Sequence, residues 1–122
     1  MNSLIKKAIK KNNFVVLHLH GDKPDYKLAT ELPIDAINWH DQQTTPSLSE
    51  ARKVFKGGLL GGLNAEAWKD ISDPLDVVSL IYSVYESFKG PGLIIAPGCV
   101  IPQFVSDSTI DAAVSAIKNL KK

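Results

Sequence analysis

The sequence has little cysteine, little excess charge of either sign and no long apolar run, and each shortage excludes something. One cysteine, Cys99, in 122 residues rules out an intrachain disulfide framework and suits a reducing compartment. Fourteen basic against thirteen acidic residues leave a formal net charge of +1, with the signs interspersed. Neither nucleic acid nor an acidic membrane surface is therefore indicated as a partner. No stretch approaches the roughly 20 apolar residues of a membrane-spanning helix. The opening Leu4-Ile5-Lys6-Lys7-Ala8-Ile9-Lys10-Lys11 lacks an apolar signal core, a small-residue cleavage site and arginine, so it reads as structural rather than as a targeting peptide. The expected location is the cytoplasm.

What is present is a soluble domain's composition, 44% hydrophobic and 22% charged, in a length suited to one domain. The most informative stretch is Phe14-Val15-Val16-Leu17-His18-Leu19-His20-Gly21-Asp22. Its apolar part is too short for a helix, is rich in β-branched residues and ends at a glycine, the pattern of a buried strand. Alternation puts Val16, His18 and His20 on one face and Val15, Leu17 and Leu19 on the other. Two imidazoles on one face of a buried strand are costly to leave unpaired. They are also common metal ligands and acid–base groups.

The remaining chain alternates strand and helix signals. An amphipathic helix over 3–12, with Leu4, Ile5, Ala8 and Ile9 as its apolar stripe, precedes the histidine strand. Pro24 opens a short helix over about 25–31, and Ile34 to Trp39 reads as a second strand. Ser47 with Glu50 forms a capping box for a helix from Leu48 to Phe55. Gly57-Gly58-Leu59-Leu60-Gly61-Gly62 reads as a short strand bracketed by glycines. It lacks Gly-Lys-Ser/Thr and the dinucleotide-binding spacing, so close packing explains it better than a phosphate loop. Asp73-Pro74 caps a helix from Leu75 to Phe88, Leu93 to Ala96 is a fourth strand, and Asp107 or Ser108 caps a last helix to about Leu120. A helix followed by four βα units implies an α/β fold with a parallel sheet, either part of a barrel or doubly wound.

In such folds the active site lies at the carboxyl ends of the strands. All three histidines and the cysteine fall there: His18 and His20 after the first strand, His40 beside Asn38, Trp39 and Asp41 after the second, and Cys99 after the fourth, with Asn64 after the third. Two histidines and a cysteine suffice as the protein ligands of a catalytic zinc, leaving a position for substrate. The bland alternative is that the histidines hydrogen-bond within the fold or bind a substrate carboxylate, and that Cys99 is a structural thiol.

The ordered motifs Leu17-His18-Leu19-His20-Gly21, Asp35-Ala36-Ile37-Asn38-Trp39-His40-Asp41, Ser47 to Arg52, Gly61-Gly62-Leu63-Asn64 and Ala96-Pro97-Gly98-Cys99-Val100-Ile101-Pro102 resemble the uroporphyrinogen decarboxylase superfamily. The resemblance spans Leu17 to Pro102 and implies the carboxyl-terminal half of a (β/α)8 barrel, with residues 1–122 forming a single half-barrel domain. Met1 falls where the amino-terminal half would join, as in a split gene product, a truncation or a fragment.

The superfamily implies two chemistries. Its decarboxylases carry a histidine after the last strand, where this chain has Cys99. Its corrinoid-dependent methyltransferases hold zinc with His-x-Cys on the fifth strand and a cysteine after the eighth. Here His18 and Cys99 match the outer ligands, and His20 stands in place of the middle cysteine. The resemblance therefore implies zinc held by His18, His20 and Cys99, with a corrinoid as methyl donor.

The leading expectation is part of a zinc-dependent methyltransferase site. His18, His20, His40 and Asp41 are its candidate catalytic residues. Asn38, Trp39 and Asn64 are its candidate contacts to a small-molecule substrate, although Trp39 fits core packing better. The alternatives are a decarboxylase-like lyase acting on a tetrapyrrole carboxylate without cofactor, and a non-catalytic half-barrel serving as a binding module. A half-barrel leaves two sheet edges and an inner face uncovered. The expected partner is a second copy, forming a homodimer, or a separate amino-terminal half-barrel chain.

Overall fold

Strand β1 (Val16–His18) forms where the β-branched run predicts it, and its alternation is visible in the burial: Val16 and His18 are exposed while Leu17 and Leu19 pack into the core. The computed structural model describes residues 13–88 and 90–120 and, before them, only Ser3, Lys7 and Ile9. Apart from those three residues, the helix expected over 3–12 lies outside the described residues.

Helix α1 (Tyr26–Thr30) is capped by Asp25, whose carboxylate accepts the Leu28 N–H, rather than opened directly by Pro24. Strand β2 (Ala36–Asn38) follows, then helix α2 (Leu48–Val54) with both bonds of the Ser47–Glu50 capping box in place. Strand β3 runs from Gly58 to Leu63, one residue beyond the glycine-bracketed stretch expected, and close packing around its glycines leaves little room for side chains. A 3-10 turn (Glu66–Asp70) leads to helix α3 (Pro74–Ser87), capped by Asp73 with Pro74 in its first turn. Strand β4 (Leu93–Pro97) and helix α4 (Asp107–Asn119) complete the chain. The cap of α4 is Ser106, whose hydroxyl accepts the Thr109 N–H, and not Asp107 or Ser108. Asp107 lies inside the first turn, where a carboxylate favours the helix dipole.

The four strands pair in parallel in the order β1-β2-β3-β4. Val16 stands opposite Ala36, His18 opposite Asn38, Asn38 opposite Leu60 and Leu60 opposite Ile94. Parallel partners point to the same face, so this row lies on one side of the sheet. The strand order never reverses, which is the arrangement of consecutive βα units in a barrel and not of a doubly wound sheet.

Two apolar clusters cover the other side. Ile37, Trp39 and Leu59 pack with Tyr26, Leu48, Ala51 and Phe55, and Leu63 packs with Trp68, Val77, Ile81, Ala113 and Ala116. Trp68 is an inner member of the second cluster at 3% exposure. On the uncovered face Val16 is 46% and Ile94 47% exposed. Among the described residues no helix is long and apolar enough to cross a membrane.

Ser47→Ala removes the acceptor for the Glu50 N–H and should lower stability by about 1 kcal/mol in urea denaturation. Burial pushes the Tyr26 phenol up from 10.0 to about 12, against a smaller downward pull from Arg52. Its native pKa is raised, so stability present below pH 10 is lost as the pH climbs toward 12, where the unfolded chain ionises first. In Tyr26→Phe this alkaline loss, on the order of 2 kcal/mol, should disappear from denaturation midpoints.

Candidate metal centre

The uncovered face ends, at the carboxyl ends of its strands, in a group of metal-ligating side chains. β1 carries His18 and, just beyond it, His20; the turn after β2 carries His40; the turn after β4 carries Cys99. One ligand atom from each of these four residues lies within 4.8 Å of the others. The thiol sulfur is 3.9 Å from His18 Nε2 and 3.9 Å from His20 Nδ1, and His20 Nδ1 is 3.3 Å from His40 Nε2. A tetrahedral zinc with bonds of about 2.0–2.3 Å has ligand–ligand edges of about 3.3–3.8 Å. The four donors therefore fit such an ion with small adjustments, and their mixture of imidazole and thiolate is one that zinc favours. His18 and His20 are exposed, whereas His40 and Cys99 are half-buried.

Local sequence explains why the donors converge. Alternation sends His18 and His20 to the uncovered face, and Asn38 and His40 follow the same rule on the neighbouring strand. Gly98 is buried with no room for a side chain, since an added Cβ would lie 2.8 Å from the Trp39 carbonyl and 3.0 Å from His40 Cα. Its N–H donates to the Leu63 carbonyl at 3.0 Å, which holds the turn before Cys99 against the sheet.

Two imidazoles are oriented by amides. His18 Nδ1 lies 2.6 Å from Asn38 Oδ1, and His40 Nδ1 lies 2.9 Å from Gln43 Oε1. An amide oxygen only accepts, so these contacts place the hydrogen on Nδ1 and leave Nε2 with its lone pair toward the cluster.

The other expected site residues have different placements. Asp41 is 5% exposed and both of its oxygens accept the Gly62 N–H at 3.1 Å, so it braces β2 against β3 from beneath the site. Burial pushes its carboxyl above the usual range, and the bonds from Gln42 and Gly62 pull it partly back. Gly61 packs directly on this carboxylate, which is why a side chain is not tolerated there. Asn64 is half-buried and accepts the Glu66 N–H, turning the chain into the 3-10 segment. Trp39 is not a site residue: it is fully buried on the helix side, edge-on to Tyr26, with its indole N–H donated to the Pro46 carbonyl. Its alternation with Asn38 and His40 predicts that placement.

His40, expected as a catalytic residue, also lies within ligand distance of His18, His20 and Cys99. The available signal was again alternation, because His40 follows Asn38 by two residues as His20 follows His18. A cleft beside the cluster is lined by Asp22, Gln43, Thr44 and Glu66 with the edges of His20 and His40.

Fold and site together define a parallel α/β protein with a candidate three-histidine, one-cysteine metal centre at the carboxyl ends of its strands. The chain matches no protein-family model and no curated protein.

Asp41→Ala leaves the buried Gly62 N–H without its acceptor and should cost about 2 kcal/mol of stability in urea denaturation. Asp41→Asn keeps an acceptor and should cost less.

Proposed function

We propose that this chain carries the metal-binding part of a barrel active site that transfers a methyl group to a thiol. The observation that carries the reading is the convergence of His18, His20, His40 and Cys99 from three strand ends. The ordered motifs that resemble the uroporphyrinogen decarboxylase superfamily supply its chemical detail, including a corrinoid as methyl donor.

His18, His20 and Cys99 would hold zinc throughout, and His40, the fourth donor within reach, would yield its position to the substrate thiol. Bound zinc supplies Lewis acidity, lowering the pKa of a thiol that reaches it. With one thiolate and two neutral imidazoles the centre would carry a net charge of +1, which favours the thiolate form of the substrate over its thiol. In the transfer the substrate sulfur gives its proton to water and forms the new bond to the methyl carbon, and the electron pair of the broken bond stays with the donor. His40, held by Gln43, stands beside His20 at the mouth of the cleft, where it can hydrogen-bond the incoming thiol.

A tetrapyrrole carboxylate is less well served. The lining of the cleft includes two carboxylates, Asp22 and Glu66, and no arginine or lysine among the described residues. The exposed inner face and the edges of β1 and β4 are the surfaces that a second copy or an amino-terminal half-barrel would cover in this reading.

Metal content by mass spectrometry tests the reading. Wild-type protein should hold about one zinc per chain, lost in His18→Ala and Cys99→Ser and kept in His40→Ala. A folded wild-type chain without zinc after exposure to it, or one whose zinc survives both of the first two substitutions, contradicts it. Sedimentation tests the partner: a monodisperse monomer with a fully cooperative melt would argue against a half-barrel that needs covering.

A further inference from the structure

Both polar atoms of the Asn38 side chain are engaged within the fold. Its amide nitrogen lies 2.9 Å from the Leu60 carbonyl and 3.1 Å from the Pro97 carbonyl. Both carbonyls only accept, so the amide NH2 must face them, and the oxygen that remains faces His18 Nδ1 at 2.6 Å. One side chain thus joins β1, β3 and β4 from its place at the end of β2. The consequence at β1 is a choice of tautomer. An oxygen that only accepts requires Nδ1–H on the neutral imidazole, and His18 Nε2 is left as a lone pair 3.9 Å from the Cys99 sulfur. The consequence at β4 is a fixed turn, because Pro97 stands two residues before Cys99 and Gly98 between them is bonded to Leu63.

We propose that Asn38 is the positioning residue of the metal centre, holding His18 in the Nδ1–H tautomer with its oxygen and the turn that carries Cys99 with its nitrogen. This rests on the metal-site reading above, although the tautomer itself belongs to the metal-free protein. Partners that orient a ligating histidine commonly change metal affinity about 10–100-fold when removed. The two halves of the amide are separable. Asn38→Asp keeps an acceptor for His18 but cannot donate to Leu60 and Pro97, whereas Asn38→Leu abolishes both functions.

The test is long-range 15N–1H correlation of the imidazoles in the metal-free chain, followed by titration with Co2+ as a spectroscopic stand-in for zinc. In wild type His18 should be the Nδ1–H tautomer, and Co2+ should give the thiolate-to-metal charge-transfer band of Cys99. Asn38→Asp should keep the tautomer, because a carboxylate also accepts from Nδ1–H, and weaken the Cys99 band, because the turn after β4 loses its donor. Asn38→Leu, where it folds, should lose the single tautomer, and its Co2+ affinity should fall toward the 100-fold end. An Nε2–H tautomer of His18 in wild type overturns the proposal without any variant, as does wild-type intensity of the Cys99 band in Asn38→Asp. A wild-type chain that shows the Nδ1–H tautomer but binds neither Co2+ nor zinc overturns the metal-site reading while upholding the hold of Asn38 on His18.

Discussion

The parallel pairing of β1 with β2, Val16 on Ala36 and His18 on Asn38, is the constraint on which the rest depends. A strand's side chains alternate, so a slip of one residue would turn His18 and His20 toward the helices and Leu17 and Leu19 toward solvent. The slip would bury two imidazoles among apolar residues and strip the first cluster of its contacts from β1. Folding energetics and site geometry therefore select the same register. The hydrogen bond between His18 and Asn38 is a product of that register.

The layer beneath the site is built to keep the strand ends close. Glycines at 61, 62 and 98 let the Asp41 carboxylate, Val84 and the backbone after Trp39 approach β3 and β4 without intervening side chains. Gly62, at φ +100°, sits in a conformation that L side chains rarely adopt, and it also donates to Asp41. Trp39 and Tyr26 fill the opposite side of the same strand. The side chains of the candidate site thus stand on a closely packed floor, and the neutral amides of Asn38 and Gln43 orient two imidazoles without adding negative charge.

Much of the fold was legible because its signals are local. Hydrophobic alternation marked β1, the Ser47–Glu50 pair marked α2, and Asp73-Pro74 marked α3. The glycine-bracketed stretch 57–62 forms β3 with a shift of one residue, to Gly58–Leu63, and its missing side chains are what the packing requires. The α4 cap was placed one or two residues late because Ser106, Asp107 and Ser108 all have capping chemistry, and only the backbone decides among them. Apart from Ser3, Lys7 and Ile9, the helix expected over 3–12 lies outside the described residues.

The site was legible as residue types at strand ends, and His18, His20 and Cys99 do meet. The inclusion of His40 and the full engagement of Asn38 depend on distances between strands 20 or more residues apart, which spacing along the chain does not encode. Trp39 could have been assigned to the core by the same alternation that exposes its neighbours.

Zinc K-edge X-ray absorption on the metal-loaded chain addresses the central claim most directly, because sulfur and nitrogen scatter differently. The expected first shell has one sulfur at about 2.3 Å, together with imidazole nitrogens at about 2.0 Å and their outer-ring scattering. A shell of light atoms alone, with no sulfur and no imidazole signature, would contradict it.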